Sequence, residues 1–362
     1  MWLTSSSIGR KFIMALTGCA LVLFVTFHVL MNAVALIWPT AYNQVCEFLG
    51  ANWYALVASA GLGLLLIIHI VYALWLTVQN RAARGNDRYA VTSRPPQVEW
   101  SSKNMLVLGI VVLAFLVVHL IQFWAKMQWQ ELRHADLQVL PQLEGVPAAP
   151  ALGTLFIQMA FSQVWTPIVY IIGFIALWFH MNHGFWSMFH TVGWDNQVWI
   201  DRLKKIGCIW TSVVVALFIA QAIVFTVKAH GNYYLTDKGL QEQYAEFWNS
   251  QAQDVYDDFE VNMLALQKAN DGNMIASQKA MQDFINEYGP GFIARTELIA
   301  SSFEKQCTDI VPGDALRQIQ QIASQLQMMM TRMPGGATPR GVSGANPAGD
   351  GPAEQAQEDN VQ

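Results

Sequence analysis

The stretch Phe12 to Ile37, FIMALTGCALVLFVTFHVLMNAVALI, holds no Lys, Arg, Asp or Glu and a single histidine, His28. Roughly 20 predominantly apolar residues suffice to cross the hydrocarbon core of a bilayer as a helix. This stretch is therefore expected to be a membrane span, and four more runs match it: Tyr54 to Val78, Asn104 to Trp124, Pro167 to His190 and Ile206 to Val227. Trp38, Trp53, Trp100, Trp124, Trp165 and Trp194 cluster near their ends, where amphipathic rings favour the headgroup layer. Composition agrees: 53% hydrophobic against 13% charged residues is too little charge for a water-facing chain of this size.

The net charge of -5 conceals a division. The long apolar runs end before residue 230, and the last third is polar and acidic. Lys and Arg are divided as well. Arg10 and Lys11 precede the first span. Arg81, Arg84, Arg88, Arg94 and Lys103 fall between the second and third, and Arg202, Lys204 and Lys205 between the fourth and fifth. The opposite flanks carry only Lys126, Arg133 and Lys228. By the positive-inside bias the N-terminus is expected in the cytoplasm and everything after the fifth span outside. Leu16, Thr17, Gly18 and Cys19 imitate a lipoprotein cleavage box, but too few residues follow Lys11 for the apolar core of a signal peptide, so the N-terminus is expected uncleaved. The four cysteines, Cys19, Cys46, Cys208 and Cys307, have no metal-site spacing.

Spans one to four each carry one histidine well inside the apolar run: His28, His69, His119 and His180. An ionisable side chain within a bilayer is costly and marks a functional site by default. A lone one can simply hydrogen-bond a neighbouring helix, but four at ordered depths need another account. Counted from the cytoplasmic side, His28 lies 17 residues from Lys11 and His119 lies 16 from Lys103, whereas His69 is 12 from Arg81 and His180 is 13 from Gly193. This defines an outer pair, His28 with His119, and an inner pair, His69 with His180. Two histidines at one level, from different helices, suit axial ligation of a six-coordinate haem iron. Gly173 and Gly184 on the face of His180, and Gly61 and Ala73 on that of His69, are expected to leave room for a flat macrocycle. Arg10, Lys11, Arg81, Arg84, Arg202, Lys204, Lys205 and Lys126 are candidates to neutralise propionates, and His183 a neighbour of the inner haem.

The opening Ser6, Ser7, Ile8, Gly9, Arg10, Lys11, then Met14 to Gly18 and His28, resembles the start of the five-helix, diheme cytochrome b subunits of bacterial succinate dehydrogenases and fumarate reductases. Phe179, His180, Met181, Asn182, His183, Gly184, Phe185, Trp186 and Ser187 resemble their fourth helix, and the likeness covers about residues 5 to 230. The resemblance assigns His69 and His180 to the haem nearer the iron-sulfur subunit and His28 and His119 to the outer haem. It implies two haem b groups, menaquinone, a flavoprotein subunit and an iron-sulfur subunit on the cytoplasmic face of a bacterial inner membrane, with a dimer of heterotrimers as one open assembly. The chain would anchor a succinate:quinone or quinol:fumarate oxidoreductase without being its catalytic subunit, and nothing points to nucleic acid. Trp178 stands where some members carry a proton-moving glutamate, so that route is not carried over. The quinone is expected beyond the outer haem, with Glu47 as its candidate proton-exchanging group.

The fold class is thus an all-α membrane protein: five transmembrane helices, four of them a haem-binding bundle, and a soluble C-terminal extension, which typical members lack. The expected domains are 1–230, a helical extension at 231–333 and a disordered Pro/Gly-rich tail at 334–362. Tyr244, Trp248, Tyr256, Phe259, Met263 and Leu266 recur at helical spacing, broken by Gly289-Pro290 and Pro312-Gly313. Because the four histidines precede residue 190, both haems are expected to assemble without the last third, whose loss would weaken at most stability or an external contact. Two other classes remain open: a membrane di-iron oxygenase or desaturase using His180 and His183, and a transporter whose histidines only join helices.

Overall fold

The computed structural model describes residues 6–84, 100–133, 135–194, 196, 198–269 and 274–332. Arg88, Arg94, the side chain of Arg84 and the segment 334–362 lie outside the described residues. Ser6 opens helix α1 (Ser7–Ile37) by accepting the Gly9 amide, and the helix ends where Pro39 follows, since a residue before proline is pushed out of helical geometry. Pro39 then starts α2 (Pro39–Ala51), leading to α3 (Trp53–Arg84). Helix α4 (Met105–His119) continues through a π-turn, Leu120–Trp124, to the short α5 (Gln128–Leu132). A two-stranded antiparallel hairpin, Gln142–Leu143 with Val146–Pro147, turns through Glu144 and Gly145, both at positive φ as a two-residue hairpin turn of the primed type requires. Helices α6 (Gly153–Phe161), α7 (Trp165–Thr191) and α8 (Trp199–His230) follow. The last third comprises α9 (Tyr233–Thr236), α10 (Lys238–Ala269), α11 (Met274–Glu287), α12 (Gly289–Gln306) and α13 (Asp314–Arg332).

Among the described residues five helical stretches, α1, α3, α4 with its π-turn, α7 and α8, are long and apolar enough to cross a membrane, and they contain the five runs expected from the sequence to within one residue at Asn104. Helix α1 packs on α3, α7 and α8, while α4 packs on α7 and meets α3 only briefly. The four histidine-bearing helices therefore run in the order α1, α3, α4, α7 around a centre, and α8 seals the α1–α7 side. A Cβ at Gly173 would lie 2.3 Å from the Phe115 ring, so glycine is what lets α7 and α4 approach there. Gln221 of α8, itself buried, donates to the carbonyl of Val29 and ties α8 to α1.

Helix α6 is apolar all round and buried along nearly its whole length, the pattern of a helix enclosed on every side. Spans close over one end of it and the extension over the other. Tyr234, Leu240, Tyr244 and Trp248 join Leu155, Phe156, Ile157, Tyr42 and Phe225 in one continuous apolar core. Polar groups lock the same seam. Asn43 of α2 accepts from the Thr154 amide and hydroxyl and donates to Gln243, and Gln306 accepts from the Trp248 indole while donating to the Pro147 carbonyl. The amphipathic helices of the extension form, with Pro290 and Gly313 at the starts of α12 and α13, and the extension-side end of the span region shares a core with the last third.

Trp248→Ala should cost about 3–5 kcal/mol, because it empties a fully buried site and strips Gln306 of a donor. The reporter is Cys307 in the same core, whose thiol burial pushes up to about 12. In the wild type it should resist maleimide at pH 8 until the chain unfolds; in Trp248→Ala it should label at a lower temperature.

Candidate functional site

Hydrocarbon offers a polar side chain no water, so each intramembrane histidine has to find its partners within the bundle. The structure brings the four together as two pairs. His28 of α1 meets His119 of α4 with ring centres 5.7 Å apart and planes at 82°. His69 of α3 meets His180 of α7 at 6.3 Å and 66°. Each pair joins helices diagonally opposed across the bundle. The rings meet at its centre rather than along a helix–helix seam. The first pair lies towards the extension, through Asn32 to Tyr42 of α2; the second lies farther from it.

A metal taking one imidazole nitrogen on each side at about 2 Å sets the two ring centres roughly 6 Å apart. Both separations fit. The rings pack against glycine: a Cβ added at Gly18 would meet His69 at 3.4 Å, and one at Gly109 would meet His180 at 3.6 Å, both ordinary contact distances. The second atoms of the rings are also arranged. Thr17 Oγ1 lies 3.1 Å from His69 Nδ1, and the Tyr170 hydroxyl lies 3.2 Å from His119 Nδ1. His180 Nδ1 is buried with no hydrogen-bond partner. His28 differs, because Asn32 Nδ2 sits 3.1 Å from its Nε2 and would have to yield that atom to a metal. Among the described residues no three His, Cys, Asp or Glu side chains converge, so the histidines stand as pairs.

The glycines chosen from spacing divide differently from expectation. Gly61 and Gly184 face open space, whereas the space at Gly173 is taken by Phe115, which packs under His119 and Tyr170. Gly18 and Gly109, which do face the rings, sit on the helices that flank the pair and were not legible from the histidines' own helices. Arg10 stacks over Trp75, Arg202 over Trp199 and Lys204 over Trp186, whose ring lies edge-on to His183. Lys11, Arg81 and Lys205 are exposed. Lys126 is half-buried, its ammonium 3.2 Å from the weakly accepting sulfur of Met159, and burial lowers its pKa. Trp178 donates to Ser212 of α8. Glu47 is exposed on α2; Glu131 of α5 instead lines a cavity of about 200 Å³ with Gln130, Leu137, Leu140, Pro150 and Phe247.

No family model, curated protein or solved structure matches this chain. The site is therefore read from its own geometry.

Gly173→Val should destabilise the bundle by about 1–3 kcal/mol through collision with Phe115. Gly61→Val and Gly184→Val should leave the thermal midpoint of the purified protein nearly unchanged, since nothing lies within 4 Å of either Cβ position.

Proposed function

We propose that this chain is the haem-carrying membrane subunit of a succinate:quinone or quinol:fumarate oxidoreductase. The observation that carries the reading is the meeting of four intramembrane histidines as two diagonal pairs, at the separation two axial imidazoles require. His69 and His180 would hold one b haem, and His28 and His119 the other. Bound there, the two haems supply one-electron carriers at two depths of the bilayer. Gly18 and Gly109 let the rings lie close to the flanking helices, and Lys126, whose hydrogen-bond partner among the described residues is a thioether, is suited to an anionic propionate.

Transfer between a soluble donor and a lipid-soluble quinone needs such carriers, because hydrocarbon conducts neither electrons nor protons. The Lys and Arg bias puts the N-terminus in the bacterial cytoplasm, with the flavoprotein and iron-sulfur subunits docked on that face and the extension outside. Menaquinone would then exchange electrons beyond the extension-side pair. Of the carboxylates on that side, Glu131 lines a cavity whereas Glu47 faces solvent, so Glu131 takes precedence over Glu47 as the proton-exchanging group.

The purified complex should show two b-type components in a reduced-minus-oxidised spectrum. Replacing His69 or His180 should remove one and replacing His28 or His119 the other; loss of one shared component from His28 and His69 variants would overturn the pairing. Glu131→Gln should slow quinone turnover at least tenfold with both haems retained, and Glu47→Gln much less. The reverse order would return Glu47 to the quinone site.

A further inference from the structure

Helix α4 changes its winding immediately beyond His119. The Ala125 amide bonds back to the Leu120 carbonyl at 2.8 Å, five residues away, and the widened turn Leu120–Trp124 holds Gln122 inward and buried. Single π-turns of this kind cost regular helix geometry and recur at functional positions. Here the turn has a definite result. Gln122 Nε2 donates to Thr166 Oγ1 at 3.1 Å, and its Oε1 accepts from the Tyr170 hydroxyl at 2.9 Å.

A phenol has one proton. With that proton given to Gln122, the Tyr170 oxygen faces His119 Nδ1, 3.2 Å away, with only lone pairs, and the imidazole must be the donor. Tyr170 cannot swing out of this role, because its ring is 4% exposed and packed edge-on against Phe115, Phe161 and Phe174. We propose that Tyr170, seated by Gln122 on this π-turn, is a positioning residue that fixes His119 with its proton on Nδ1 and leaves its Nε2 unprotonated. Thr17 treats His69 in the same way with less apparatus: its hydroxyl donates to the Ile13 carbonyl at 2.9 Å and so takes the His69 Nδ1 proton at 3.1 Å. The two pairs are thereby separately tuned, each by a hydroxyl from a neighbouring helix.

The tautomer rests on these hydrogen bonds, the orientation of the Gln122 amide included; its effect on redox behaviour rests on the haem reading above. A ligand imidazole that gives its remaining N–H to an acceptor is the more basic donor, which favours oxidised iron. The experiment uses the full chain in lipid bilayers. In the haem-loaded protein, Tyr170→Phe should raise the midpoint potential and change the low-spin EPR signal of the extension-side haem alone, whereas Thr17→Val should do so for the other haem alone. A merely structural role would not separate the two components in this way. Tyr170→Phe leaving its haem unchanged, or shifting both equally, would overturn the proposal. In the haem-free chain, nitrogen-15 NMR should find the His119 proton on Nδ1 in the wild type and redistributed in Tyr170→Phe. A wild-type proton on Nε2 would overturn the inference. A wild-type chain that takes up no haem but keeps the Nδ1 proton would overturn the functional reading and leave the tautomer standing.

Discussion

An imidazole placed midway across a bilayer cannot turn to water, and each of its two nitrogens is a demand on the surrounding helices. In this chain four such rings are carried by four helices, and most of the bundle can be understood as the answer to that demand. Diagonal pairing puts the rings at the centre, where lipid does not reach. Thr17, Tyr170 and Asn32 supply oxygen or amide partners from within the bundle, and Gly18 and Gly109 keep neighbouring helices from filling the space the rings need. The fifth long helix has no such ring. It contributes Gln221 to the backbone beside His28 and seals one flank.

The spans were legible because length and hydropathy suffice to define them, and the helix ends fall where Pro39, Pro290 and Gly313 put them. Which histidine meets which could be counted as well, since rise per residue converts sequence distance into depth. Other features follow from contacts between distant parts of the chain and leave no periodic mark. Helix α6 is nine residues long, too short to register as a span, yet it is the most enclosed helix described. Gly173 lies on the face of His180 by spacing, but a phenylalanine from α4 occupies the room it was expected to leave. The Tyr170–Gln122–Thr166 chain depends on a change of helical winding that no residue preference in Leu120–Trp124 announces.

The extension was readable as helices but not as part of the membrane domain's core. Its inward face, Leu240, Tyr244, Trp248 and Val255, has ordinary amphipathic spacing, which says that a face is covered without saying by what. The covering partners are chiefly α12 and α13 of the extension itself, joined at Tyr244 by Thr154 of α6, which comes from the loop between two spans. Apolar area on two sequence-distant segments is matched only in three dimensions.

That arrangement bears on the order in which the protein can be made. Synthesis runs from the N-terminus, and the spans leave the ribosome long before Ile299, Leu316 and Leu326, which close the far side of the shared core. Until those residues arrive, the inward face of α10 lacks the helices that cover it and stands as an exposed apolar surface. The newborn chain therefore passes through an interval in which it is a target for chaperones and proteases.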